Sequence, residues 1–389
     1  MLMKIIHSSD WHLGKIVNER SMLADQIIVF NRLIDEWKTS SADVVIIAGD
    51  FYDRSLPNRE TVRAADQLLE RMMNELSMPV CVMSGNHDAG ERIAYGKAAY
   101  QKAGVYLAGL PQKQPECVQI GEADIYLLPF SEHGFIREIY KDSSITSLQK
   151  AAQKQVEAIR SVWNPDRLNI VVYHGYVTAD SLEDERGGLI YSDSERPLSI
   201  GMTEYVPLEV FEGFDYVALG HLHGGQKVKS DRVRYSGSPL KYSKSEANHH
   251  KHYLEIDLTK TAINVKKCPI QPIHDLRVYA TTFEEAMRHK SEDYVYFELE
   301  DAHPIHEGMN RLRENYPHVM SLEYPSLYQE EKLQEVTRYL QVEKVMKTPL
   351  ETFDSFYQEV LGQEITVKQW EYVKKAWEEA EESEGESCD

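Results

Sequence analysis

Apolar runs that end in polar, chemistry-bearing residues recur through the first two thirds of the chain. Met3 to His7 lead into SSDWHLGK, and ADVVIIAGD closes on Asp50. PVCVMSGNHD ends in Asn86 and His87, LNIVVYHG in His174, and FDYVALGHLHG in His221 and His223. Continuous apolar runs of this kind fit strands buried on both faces. Between the first three, Leu23, Ile27, Phe30, Ile34 and Trp37 recur at helical spacing, and so do Val62, Ala65, Leu69, Met72 and Leu76. The resulting β–α–β–α–β order predicts a layered α/β sheet with helices packed on it. SLEDERGGLIYSDSERPLS reads as a polar insertion, and RVRYSGSPLKYSKSE and HHKHYLEIDL as later strands joined by a turn.

The pattern changes near Ile270. PIQPIHD carries two prolines and reads as a linker. LRVYA, FEEAMRHK, YVYFELE, MNRLRENY and VMSLEY then predict a strand–helix–strand–helix–strand unit of about the minimum size that folds alone. From Glu330 the pattern is helical, around Leu333, Val336, Leu340 and Val345 and then from Phe353 to Leu361. In ITVKQWEYVKKAWEEA, Ile365, Val367, Trp370, Val373 and Trp377 make an apolar stripe. Such a stripe suits packing on the parent domain or docking of a partner helix. The 389-residue chain thus divides into 1–270, a small α/β unit at 271–329 and a helical region at 330–389.

Composition narrows the class. An apolar share of 42% supports a sizeable core, and no run approaches the ~20 apolar residues of a membrane span. The N-terminus lacks a signal-peptide pattern. Cys81, Cys117, Cys268 and Cys388 are scattered without any C-x-x-C, so a reduced, cytoplasmic protein is expected. A net charge of −20 argues against a general polyanion binder. Part of that charge lies in the tail EEAEESEGESCD, which reads as a solvated end. Divalent ions at an acidic site would also invert the field locally.

The strand ends collect the candidate chemistry. On an extended chain Asp10 and His12 would point the same way. Ligands gather beyond the carboxyl ends of strands in open α/β sheets. Asp10, His12, Asp50, Asn86, His174, His221 and His223 can therefore meet there, with His87 beside them. Two aspartates, an asparagine and imidazoles suit a pair of borderline divalent ions such as manganese, iron or zinc. His7 reads as structural, and His249, His250 and His252 as a solvated hairpin rather than a further metal site. Lys15, Arg20, Arg54, Arg59 and Arg92 surround the motifs and are candidates for phosphate contact.

The series D-x-H, G-D-x-x-D, G-N-H-D, H-G and G-H-x-H resembles the calcineurin-like metallophosphoesterases. SSDWHLGK, AGDFYDRS, SGNHD, ALGHLHGGQ and YSGSPLKYS resemble in particular the bacterial branch of the double-strand-break repair nucleases. The resemblance implies an αββα metallophosphoesterase sandwich with a small α/β capping domain and C-terminal helices. It implies one ion on Asp10, His12, Asp50 and His223 and a second on Asp50, Asn86, His174 and His221, with manganese the expected metal. It assigns His87 to the scissile phosphate or the leaving oxygen as general acid, with Asp53 orienting it; many relatives carry histidine at the Asp53 position. The implied activity is exonuclease action on duplex DNA ends and endonuclease action on single strands or hairpins. The implied partners are an SbcC-like ATPase held by the C-terminal helices and a second copy of the chain, in a heterotetramer. The chain has no G-x-x-x-x-G-K-[ST], so ATP binding would be the partner's. A phosphoprotein phosphatase or cyclic-nucleotide phosphodiesterase on the same scaffold is the alternative, because GDFYDRS resembles G-D-x-x-D-R-G. Against it stand SDWH in place of a G-D-x-H-G, and GNHD in place of GNHE. A scaffold without activity would be expected to lack ligands, and none is missing.

Overall fold

The computed structural model describes residues 2–179, 189–195, 205–327, 353, 357, 365–366 and 368–376. The acidic tail, the helical pattern at 330–352, Val367 and Trp377 lie outside the described residues, as does most of the polar insertion after His174.

Two six-stranded sheets carry the larger unit. The first runs Ile263–Pro269, His252–Leu258, Met3–Ser8, Val44–Ala48, Val80–Met83, Val105–Ala108. Its last four strands are parallel, and His252–Leu258 pairs antiparallel to Met3–Ser8. The second runs Gln226–Val228, Ser230–Tyr235, Tyr216–Gly220, Leu168–His174, Ala123–Leu128, Glu116–Ile120, with a parallel centre. The continuous apolar runs have a simple cause: each strand is covered on both faces. In Val44–Ala48, Val44, Ile46 and Ala48 meet Ile125, Ile170, Val172 and Ala218 of the other sheet. Val45 and Ile47 pack outward with Phe30, Leu33, Ala65 and Leu68 of the helices Leu23–Thr39 and Arg59–Glu75. The second sheet is covered likewise by Leu148–Arg160. Full burial of each such side chain stabilises by ~1.5–3 kcal/mol, and the layered α/β sandwich expected of the sequence is the arrangement found.

The predicted second helix is rotated slightly from its expected face. Thr61, Ala64, Ala65, Leu68 and Met72 are buried, whereas Val62 and Leu69 are only partly covered and line a cavity of about 710 Å³. Asn58 caps that helix by accepting from Thr61 N–H at 2.9 Å.

The small strand–helix–strand–helix–strand unit forms as Leu276–Thr281, Phe283–Ala286, Tyr294–Leu299, Gly308–Leu312 and Val319–Glu323, and its helices are single turns. Leu276, Tyr294, Tyr296 and Met320 share a core with Val17 and Met22. The chain falls into two compact units, the larger holding Met1–Ala280, Glu284–Phe297 and Glu307–Leu322. Most of the small sheet is thus counted with the larger unit. Within the other unit, residues 368–376 are helical, and Trp370 and Val373 are half-buried. Among the described residues no helix is long and apolar enough to cross a membrane.

Candidate metal centre

Asp10 and His12 do converge, but not through strand alternation. The first strand stops at Ser8, and both residues take left-handed backbone conformations, φ 53° and 43°. That conformation costs ~1–2 kcal/mol per non-glycine residue. It is held by main-chain bonds from Asp10 N–H to Gly49 O (3.1 Å) and from His12 N–H to Asp50 O (2.9 Å). Gln26 adds to the clamp, its amide donating to the Trp11 and His12 carbonyls and accepting from Gly14 N–H. Trp11, between the two donors, turns into the core and stacks on Phe30 at 4.2 Å and Phe51 at 5.5 Å.

Asp50 stands at the centre. Its Oδ2 lies 3.3 Å from His174 Nε2 and 3.6 Å from His12 Nε2, and its Oδ1 accepts from His87 N–H at 2.9 Å. Two glycines make room for it. Gly49 has φ +92°, and a Cβ there would sit 2.1 Å from His174 Nδ1; a Cβ at Gly85 would sit 2.2 Å from Asp50 Oδ1. Asp88, two residues from Asn86, ties the loops together by accepting from Phe51, Tyr52 and Gly85 N–H.

Around this centre two donor sets form. Asp10, His12 and His223 offer atoms all within 4.8 Å of one another, and so do Asp50, His174 and His221. His12 Nε2 and His223 Nε2 are 3.0 Å apart. Asn86 Oδ1 is 3.0 Å from both His174 Nε2 and His221 Nδ1. Asp10 Oδ1 accepts from His221 N–H, and Ser9 Oγ donates to Asp10 Oδ2. All seven predicted ligands are therefore brought together.

The chemistry of this set fits metal ions. Asp10 and Asp50 are fully buried, and the ion pairs described for them are with histidines rather than lysine or arginine. Buried carboxylates need such compensation. His221 Nε2 is buried without a hydrogen-bond partner. Burial lowers His12 to about 3, against the pull of Asp53 and Asp50, and holds His221 well below its usual value, with the His174 charge adding. Both rings are thus neutral and present lone pairs. Burial raises Asp10 to about 6. At Asp50 burial acts upward, but the charge and hydrogen bond of His174 outweigh it and hold the carboxyl well below the usual range.

His87 lies beside both sets, and its Nδ1 is 2.8 Å from a partner on Asp53. That partner is the Asp53 main-chain carbonyl. The Asp53 carboxylate pairs with Lys15 at 2.9 Å and lies 3.6 Å from His12 Nδ1. His12, Asp53 and His87 still form a close group.

Of the basic candidates, Lys15 serves Asp53, and Arg20 is engaged by the Pro317 carbonyl at 2.7 Å and His318 at 3.2 Å. Arg54, Arg59 and Arg92 are exposed. His7 is fully buried between Tyr216 Oη and the Leu219 carbonyl, a structural setting. His250 is exposed while His249 and His252 are half-buried, and among the described residues none of the three belongs to a three-donor cluster. Sequence reading missed Gln26, Asp88 and three residues around His223: Glu195, which accepts from its N–H at 2.6 Å, and Ser194 and Glu246, which lie 2.7 Å and 3.2 Å from its Nδ1. Only Asp88 carried a signal, its place in GNHD.

Residues 3–225 match the calcineurin-like phosphoesterase family. Residues 272–360 match the family described as type 5 capsule protein repressor C-terminal domain. The SbcD subunit of the nuclease SbcCD from Staphylococcus saprophyticus is 32% identical over 384 residues, 96% of this chain and 97% of that one. A dimetal phosphatase from Danio rerio overlaps with a TM-score of 0.38 at 10% identity, over 68% of this chain and 98% of that one, a likeness too loose to bear on the site. By these matches the chain belongs to the calcineurin-like phosphoesterases and, within them, to the SbcD family of SbcCD nucleases.

Proposed function

We propose that this chain is the nuclease component of an SbcCD-type complex, a two-ion phosphodiesterase that hydrolyses DNA. The observation that carries the reading is Asp50 Oδ2, one carboxylate oxygen between His174 Nε2 and His12 Nε2 and so shared by two donor sets. Asp10, His12, Asp50 and His223 would hold one ion, and Asp50, Asn86, His174 and His221 the other. The mixed Asp, Asn and His donors suit Mn2+, iron or zinc, and the resemblance to the repair nucleases makes Mn2+ the expected ion. When bound, the two ions would supply positive charge to polarise the phosphodiester and acidify the attacking water.

The chain's own residues do the rest. His87 would donate a proton to the leaving 3′ oxygen as an imidazolium, from Nε2, because the Asp53 carbonyl accepts from Nδ1–H and occupies that nitrogen. In this reading Asp53 orients His87 by its main chain, while its carboxylate pairs with Lys15. Asn86 and Asp50 are locked by the Gly85 turn and the Asp88 bonds, so the donors need little reorganisation on binding.

The 97% coverage of a relative named as part of SbcCD supports a complex with an SbcC-like ATPase. The surface for it would be the C-terminal helices, with 1–270 as nuclease domain, 271–329 as capping domain and 330–389 as partner-binding region. DNA ends and hairpins are the proposed substrates, a homodimer within a heterotetramer the proposed assembly, and the cytoplasm the proposed site of action.

The test uses the purified chain with end-labelled duplex, hairpin and single-stranded DNA in Mn2+, Mg2+ and chelator. His87→Ala and a chromogenic phosphomonoester serve as controls. Mn2+-dependent DNA cleavage that His87→Ala abolishes, while metal binding and fold survive, is the expected result. Brisk monoester turnover without DNA cleavage would move the chain to the phosphatase alternative.

A further inference from the structure

The outer nitrogens of the four candidate ligand histidines are treated differently. His174 Nδ1 meets the Ala48 carbonyl at 2.9 Å. His12 Nδ1 and His221 Nε2 make no hydrogen bond, the Asp53 carboxylate lying 3.6 Å from the former. His223 alone has a carboxylate within hydrogen-bond distance, Glu246 Oε1 at 3.2 Å from Nδ1.

Glu246 is fully buried although it sits in the polar stretch KYSKSE. Lys251 Nζ donates to its Oε2 at 2.5 Å. The same ammonium also donates to the His223 carbonyl at 2.9 Å, so this ion pair grips the histidine by ring and by main chain. Ser194 Oγ lies 2.7 Å from His223 Nδ1 and 2.5 Å from Glu246 Oε1. An ionised carboxylate only accepts. The Ser194 hydroxyl must then donate to Glu246, and its oxygen is left to accept from His223 Nδ1–H. Both routes from Glu246, direct and through Ser194, put the ring proton on Nδ1 and leave the Nε2 lone pair facing His12 Nε2 and the candidate ion. A buried ion pair is costly to desolvate, and both members of this one hold His223.

We propose that Glu246 is the positioning residue of the metal centre, fixing the tautomer and orientation of His223. The proposal rests on the two-ion reading of the site. Outer-shell carboxylates of this kind typically change metal affinity 10–100-fold when removed.

The experiment is Mn2+ titration calorimetry of the full chain, wild type against Glu246→Gln, with circular dichroism to confirm folding. Glutamine keeps the shape but can donate as well as accept, so the direction of the chain is released. The wild type should bind two equivalents; failure there refutes the two-ion reading itself. Glu246→Gln should weaken one equivalent at least ~10-fold and leave the other, and two equivalents of wild-type affinity in the folded variant would overturn the proposal. A readout independent of metal and of the variant's folding is 15N-histidine NMR of the metal-free wild-type chain, with His223→Gln used only to assign the signal. Protonation at Nδ1 is expected, and an Nε2-protonated ring would overturn the proposal.

Discussion

Replacing Asp88 with asparagine removes one acceptor while keeping the shape. In the native loop Oδ1 accepts from Tyr52 N–H at 2.8 Å, and Oδ2 accepts from Phe51 N–H at 3.1 Å and Gly85 N–H at 2.9 Å. Asparagine has a single acceptor oxygen. Placed at the Oδ2 position, it keeps two bonds and points its NH2 at the Tyr52 N–H, donor against donor. One bond to a charged group, worth ~1.5–3 kcal/mol, is then lost, and the other two fall from charge-assisted to neutral strength. The bonds lost sum to about 3 kcal/mol, and the variant sheds in exchange the cost of a buried charge, since burial and Asp50 hold the Asp88 carboxyl above its usual range; the loss is therefore local to the three amides. These donors belong to the loops that carry Asp50 and Asn86, so Mn2+ affinity should fall as well. The assay is hydrogen exchange at the Phe51, Tyr52 and Gly85 amides of the metal-free chain at pH 8, above the value of about 7 to which burial and Asp50 push the Asp88 carboxyl. Unchanged protection of the three amides would refute the reasoning.

Gly49→Ala should destabilise the chain by ~2–4 kcal/mol. It strains a left-handed residue and displaces His174 from the Ala48 carbonyl; a wild-type melting temperature with full Mn2+ binding would contradict this. For pH dependence, burial lowers His7 to about 3 from 6.5. The unfolded state takes up its proton first as pH falls, so stability present above 6.5 is lost at up to about 1.4 kcal/mol per pH unit down to 3. His7→Gln should flatten that part of the acid-unfolding curve, and an unchanged slope would count against it. Removing residues 330–389 should weaken capture of an SbcC-like ATPase and spare basal Mn2+-dependent hydrolysis; undiminished capture would place the interface elsewhere.

Much of the centre was legible because it is locally encoded. Each metal-ligand candidate follows an apolar run, and a strand buried on both faces must show such a run whatever its neighbours are. The glycines beside Asp50 and Asn86 stand within the same motifs, but the clashes that require them, with His174 and with Asp50, arise only in the fold. The reading went astray where local geometry was assumed. Asp10 and His12 were aligned by strand alternation, yet the strand ends before them and left-handed backbone does the work. Asp53 meets His87 through its main-chain carbonyl, and its carboxylate pairs with Lys15.

The layered α/β core, the inventory of donors and their placement at strand ends are written in the amino-acid order. These depend on hydrophobic period and on residue chemistry, which neighbours in the chain share. How the donors are held depends on the folded chain. The Gln26, Asp88 and Glu246 contacts bridge 14, 37 and 23 positions respectively, and they exist only once sheet order and loop packing bring those segments together. A buried acid and a solvated one look alike along the chain; whether Glu246 meets water or His223 depends on what covers it, and that is a property of the fold.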